Sequence, residues 1–204
     1  MGGTSSQAFF FFFIALSIAT TSALPTPTPT TTTRNYSSSA ANTDFIRTSC
    51  TCTLYRDLCF SSLARYAPSV RSDPVRLAQA AAKVATAKIR SASVRISQHL
   101  RAGSADRREA AALRDCAETL GDAADRTRRS AAEIARPGRP DLAWRVSNAQ
   151  TWMSGAITNE ATCADGFDAV AGGAAKADLV AQMGRVRQYS SNALALVNKL
   201  VHGP

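Results

Sequence analysis

The sequence predicts an all-α protein built as an antiparallel four-helix bundle. Two observations carry this. The chain is rich in Ala and Arg, both strong helix formers, while aromatic residues are only 7%. Four long stretches also repeat apolar residues three and four positions apart, with Gly or Pro between them. Few segments alternate with β-branched and aromatic residues, so a large β-sandwich is excluded.

The elements follow in chain order. Residues 8–19 read AFFFFFIALSIA, an unbroken apolar or small run. Thr21 and Ala23 stand at the −3 and −1 positions of a cleavage site, so residues 1–23 are expected to be a secretory signal peptide. The run is shorter than the roughly 20 residues of a membrane-spanning helix. Residues 24–43, LPTPTPTTTTRNYSSSAANT, are expected to form an extended, disordered Pro/Thr-rich linker. Asn35-Tyr36-Ser37 is an N-glycosylation acceptor if the chain enters the secretory pathway.

A helical domain is expected over residues 44–204. Asp73 caps a helix that opens on Pro74, and its stripe is Leu77, Ala81, Val84, Ala85, Ile89, Ala92, Ile96 and Leu100. Gly103 stops it. The second stripe is Leu113, Ala117, Leu120, Ala124, Thr127, Ala131 and Ile134, broken by Pro137, Gly138 and Pro140. Asp141 caps the third, with Leu142, Val146, Ala149, Met153 and Ala156. Gly166, Gly172 and Gly173 loosen the next connection, and the fourth stripe is Leu179, Met183, Val186, Ser190, Ala193, Val197 and Leu200. Short connections between long helices make them antiparallel neighbours. Many stripe positions are alanine and bury little area each, so a further constraint is expected.

Five cysteines can supply it: Cys50, Cys52, Cys59, Cys116 and Cys163. In an exported chain they are expected to form disulfides. Cys116 lies on the inner side of the second bundle helix and Cys163 at the end of the third, where a bond would staple the two. Nearer the N-terminus, Cys59 can pair with Cys50 or with Cys52. The Cys-x-Cys spacing with no close His is an incomplete metal site, so neither a metal nor a cofactor is expected. Only two histidines are present, and no Ser, Cys and His arrangement suggests a nucleophile. A binding protein is expected rather than an enzyme. The net charge of +9 points toward anionic partners, although the Arg residues are spread over several helices and do not form an aromatic-bearing nucleic-acid face.

Two segments carry a resemblance. Residues 44–67, DFIRTSCTCTLYRDLCFSSLARYA, contain Phe45-Ile46, Cys50 and Cys59 with Thr53-Leu54-Tyr55 between them, and Ser61-Ser62-Leu63 after. Residues 149–167, AQTWMSGAITNEATCADGF, contain Thr151-Trp152, Ser154-Gly155-Ala156, Thr162-Cys163 and Asp165-Gly166-Phe167. These resemble the plant pectin methylesterase inhibitors, a family whose domain is shared with plant invertase inhibitors. The resemblance runs over roughly residues 44–201 and departs from the family pattern at Cys52 and at Arg56, where many members have proline.

The resemblance implies a four-helix bundle preceded by an N-terminal helical hairpin, with disulfides Cys50–Cys59 and Cys116–Cys163. It implies a secreted, non-catalytic inhibitor acting in the apoplast or cell wall. Such an inhibitor occludes the substrate cleft of a pectin methylesterase in a non-covalent complex and so regulates pectin de-esterification. Glu118, Asp122 and Asp125 are spaced to form one acidic stripe on the helix face opposite Leu120. With Thr162 and Asp165, these are the positions the resemblance points to as partner contacts. Invertase is the second candidate partner. Invertase inhibitors often carry Pro-Lys-Phe in the last helical hairpin, where this chain reads Ala174-Ala175-Lys176-Ala177, and that favours the esterase. A third candidate is direct, weak association with anionic pectin, through Arg clusters at 126–129 and 136–139.

Overall fold

A computed structural model describes residues 31–103, 106–136, 141–170 and 174–202. The expected signal peptide and the first part of the expected linker, residues 24–30, lie outside the described residues, as does the side chain of Asn35.

Seven α-helices occur among the described residues: α1 Thr31–Ser49, α2 Arg56–Leu63, α3 Ala67–Val70, α4 Pro74–Ala102, α5 Arg107–Ala135, α6 Leu142–Asp165 and α7 Ala174–His202. Helices α4 to α7 are the four expected from periodicity. Each packs against two neighbours in the closed cycle α4–α5–α6–α7–α4, which sets α4 and α6 on a diagonal. The fold is an all-α bundle preceded by a helical hairpin.

The start signals act through backbone satisfaction. Asp73 accepts from the amides of Val75 and Arg76 at 2.8 and 3.2 Å. Asp141 accepts from the amide of Trp144 at 2.9 Å. Both fill orphan donors of a first helical turn. Asp106, not singled out in the sequence, does the same for α5, accepting from the amides of Arg108 and Glu109 at 2.8 Å each. At the other end of α4, Gly103 adopts φ of 70°, a left-handed stop open to glycine without steric cost.

The expected linker is corrected over residues 31–43, which form the first part of α1. The last proline before this segment is Pro29 and the next is Pro68, so no proline breaks a helix here. The rest of α1 is anchored. Ile46 is fully buried, the Arg47 guanidinium lies 3.8 Å from the centre of the Phe60 ring, and Ser72 Oγ donates to Asn42 Oδ1 at 2.9 Å. Once the C-terminal end is held, the helix extends backward with no new nucleus to form.

The α1–α2 hairpin is fastened to the bundle by an amide. Asn192 of α7 accepts from the Tyr55 amide at 3.2 Å and donates to the Tyr55 carbonyl at 2.9 Å, so one buried side chain satisfies both backbone groups of the turn. Cys50 and Cys59 are bonded within this hairpin, both side chains inside the core. Cys52 is free and exposed, its thiol directed at the Ser49 carbonyl.

Cys116 and Cys163 join α5 to α6 across 47 positions of sequence. The surrounding core is Ile89, Ile96, Leu113, Leu120, Leu179 and Met183, and Phe167 from the turn after α6 plugs its end. A second cluster, around Ile46, Leu63, Leu77, Ile134, Met153 and Val197, fills the hairpin end.

Replacing both Cys116 and Cys163 with Ala is expected to lower the unfolding free energy by on the order of 4 kcal/mol, from the long loop released in the unfolded chain. Replacing Cys50 and Cys59 releases a shorter loop and is expected to cost less. Urea unfolding of the two double variants, followed by circular dichroism, measures both, and a reversed order counts against the account.

Candidate partner-binding face

The site is built on α5 and α6. Glu118, Asp122 and Asp125 are exposed on α5, and their spacing keeps them on the side away from Leu120, whose side chain is fully buried. Thr162 and Asp165 are exposed in the last turn of α6. The Cys116–Cys163 bond, with Cα atoms 4.2 Å apart, brings the two groups to one end of the helix pair. Because the helices are antiparallel, Glu118 lies near the level of Thr162, with Asp165 about one turn nearer the end of the pair. Asp122 and Asp125 lie one and two turns further along α5.

The charges are lightly restrained. Asp125 pairs with Arg128 at 3.1 Å, but both side chains are more than half exposed, so the pair adds under about 1 kcal/mol and leaves the carboxylate open to a partner. Glu118 and Asp122 make no ion pair among the described residues. Thr162 Oγ donates to the Thr158 carbonyl at 3.1 Å and keeps its acceptor lone pairs free.

The arginines expected to form basic clusters are largely committed to other contacts. The Arg126 guanidinium lies over α6 at Gly155, where an added Cβ would stand 2.8 Å from its Nη1. Arg129 lies 5.0 Å from the centre of the Trp152 ring. Arg136 pairs with Glu133 at 3.0 Å, and its carbonyl accepts from the Arg145 guanidinium; Arg139 is outside the described residues. Gly155 and Trp152 therefore set how α6 lies against α5. A glycine inside a helix, unfavourable by roughly 1 kcal/mol against alanine, was the available signal of close approach.

One residue was missed in the sequence. Glu160 is fully buried on α6, one turn before Cys163. Ser190 Oγ of α7 donates to its Oε1 at 2.6 Å, while Oε2 has no partner. Burial pushes its carboxyl up from 4.5 to about 7, against the pull of the Ser190 hydrogen bond and the Arg187 charge. The signal was present: Met153, Ala156, Glu160 and Cys163 share one helical stripe, and the α7 stripe included Ser190.

Among the described residues, no three His, Cys, Asp or Glu side chains gather as a metal site. What the face offers is a rigid, exposed pair of helices with carboxylates and hydroxyls along it, suited to docking.

Three comparisons describe what the chain is similar to. A family model described as plant invertase/pectin methylesterase inhibitor matches residues 44–196. "Pectinesterase inhibitor 9" of Arabidopsis thaliana is 40% identical over 162 residues, which is 76% of this chain and 79% of that protein. "Pectinesterase inhibitor 11" of the same plant is 39% identical over 160 residues, covering 76% and 79%. The crystal structure of a mutant form of an Arabidopsis pectin methylesterase inhibitor superposes with a TM-score of 0.58 at 17% identity, covering 73% of this chain and 92% of that one, which is a likeness of fold.

The folded state holds Glu160 neutral, so it gains relative to the unfolded chain at low pH. This contribution is complete below 4.5, falls as the unfolded carboxyl ionises, and is lost once the pH has risen through about 7. The change amounts to about 3 kcal/mol. Glu160→Gln keeps the Ser190 hydrogen bond and removes the titration. The stability difference between the two proteins is therefore expected to depend on pH between 4.5 and 7 and to be level outside that range. Parallel unfolding curves at pH 4.5, 6 and 8 test it, and a constant difference refutes it.

Proposed function

Given that this chain belongs to the plant invertase/pectin methylesterase inhibitor family, whose members are proteinaceous inhibitors and not enzymes, we propose that it is a secreted inhibitor of a pectin methylesterase. The face formed by Glu118, Asp122, Asp125, Thr162 and Asp165 meets the enzyme in a non-covalent complex and covers its substrate cleft. The protein thereby limits pectin de-esterification in the cell wall.

The observation that carries this reading is the exposure of all five side chains on one disulfide-clamped helix pair. Occlusion needs no chemistry from the inhibitor. It needs a surface already in its bound shape, because ordering on association subtracts from affinity. The Cys116–Cys163 bond supplies that at the end where α5 and α6 residues converge. Carboxylates at the contact set orientation and the rate of encounter with a cationic partner surface. The leader at residues 1–23 and the acceptor at Asn35 support export to the apoplast.

The purified chain is expected to inhibit a pectin methylesterase and to leave an acid invertase active. Inhibition of invertase alone overturns the reading. The double variant Glu118→Lys, Asp122→Lys is expected to inhibit at least about tenfold more weakly, with Asp57→Lys on α2 close to the unmodified chain. Equal inhibition by all three proteins would remove the acidic stripe from the contact.

A further inference from the structure

We propose that the outer groove between α4 and α5, beside the partner-binding face, is a binding surface for a linear acidic polysaccharide, a polyuronate. Helix α4 carries six Lys or Arg side chains and not one Asp or Glu over Pro74–Ala102. Their placement is regular. Arg76, Lys83 and Arg90 are seven residues apart and Arg101 follows eleven residues later. Seven residues fall about 20° short of two turns and eleven run about 20° past three, so the four side chains stay on one stripe about 37 Å long.

Arg128 of α5 stands across the groove from this row, and all five side chains are exposed. Lys83, Arg90 and Arg128 line a groove of about 450 Å³ floored by Ala87, Ala131 and Ala132. Arg76 pairs with Asp73 and Arg128 with Asp125, while Lys83, Arg90 and Arg101 make no ion pair among the described residues.

The chemistry selects the ligand. A straight row of cations along α4, with Arg128 across from it, fits a chain that repeats one negative charge along its length. The groove lining has no aromatic side chain on which nucleobases could stack and no aromatic anchor of the kind that dominates protein interfaces. Its alanine floor accepts the C–H face of a sugar ring while the long cationic arms reach the carboxylates. Glu118 and Asp125 on the outer face of α5 hold a bound polyanion toward α4. Asp125 pairs with Arg128 of the groove, so the groove adjoins the partner-binding face along α5, while Thr162 and Asp165 lie on α6, diagonal to α4.

The test uses the purified chain with no enzyme present, so it is independent of the inhibitor reading. Binding to de-esterified polygalacturonate and to fully methyl-esterified pectin is measured at low and raised salt. Only the de-esterified polymer is expected to bind, and more weakly as salt rises. The variant Lys83→Gln, Arg90→Gln, Arg101→Gln is expected to bind about tenfold more weakly and with a shallower salt dependence. A control with the same charge loss elsewhere, Arg56→Gln, Arg95→Gln, Arg185→Gln, is expected to stay within about twofold of the unmodified chain. The single variant Arg90→Gln repeats the comparison with minimal disturbance of the fold, and it is expected to lie between the two. No binding to polygalacturonate, or equal weakening by both triple variants, overturns the proposal. Binding of an acidic protein such as a poly-glutamate-tagged carrier in preference to the polysaccharide would also overturn it.

Discussion

The bond between Cys116 and Cys163 is the constraint on which this molecule depends. Large apolar side chains such as Ile96, Leu113, Leu120, Met183 and Phe167 pack around this bond, and alanines between them let the helices approach closely. The disulfide removes conformational freedom from the unfolded chain and adds no bulk to the core. It also fixes the relative placement of Glu118 on α5 and of Thr162 and Asp165 on α6, which belong to different stretches of sequence. Stability and the shape of the candidate face thus come from the same covalent link.

Several polar groups inside the bundle find partners, while the buried Ser130 hydroxyl does not. Asn192 exchanges two hydrogen bonds with the Tyr55 backbone and fastens the hairpin. Thr127 turns its hydroxyl back onto the Ala123 carbonyl at 2.6 Å and is buried at no cost in unmet donors. Glu160 differs, since one carboxyl oxygen is satisfied by Ser190 and the other is not. A neutral carboxyl is the form this environment tolerates, which ties the stability of the α6–α7 contact to mildly acidic conditions.

Charge is unevenly spread around the bundle. The charged residues of α4 are all cationic, the outer face of α5 carries the acidic stripe together with Arg107 and Arg114, and α6, diagonal to α4, contributes Thr162 and Asp165. The net charge of +9 hides this arrangement, because it sums surfaces that face different directions. A protein so divided can present an acidic face to one partner while its cationic groove is turned to another.

The sequence by itself determined the bundle helices, their caps at Asp73 and Asp141, and the exposure of Glu118, Asp122 and Asp125. Those features depend on local capping and on the 3.6-residue period, which are written in adjacent residues. Only the tertiary structure decided three further matters. It chose Cys50 over Cys52 as the partner of Cys59, and both bonded side chains lie in the core while Cys52 is exposed. It turned residues 31–43 from an expected linker into helix, because Ile46, Arg47 and Asn42 are anchored by residues far along the chain. It set Glu160 against Ser190 and Arg126 against Gly155, contacts between helices whose relative rotation no single stripe specifies.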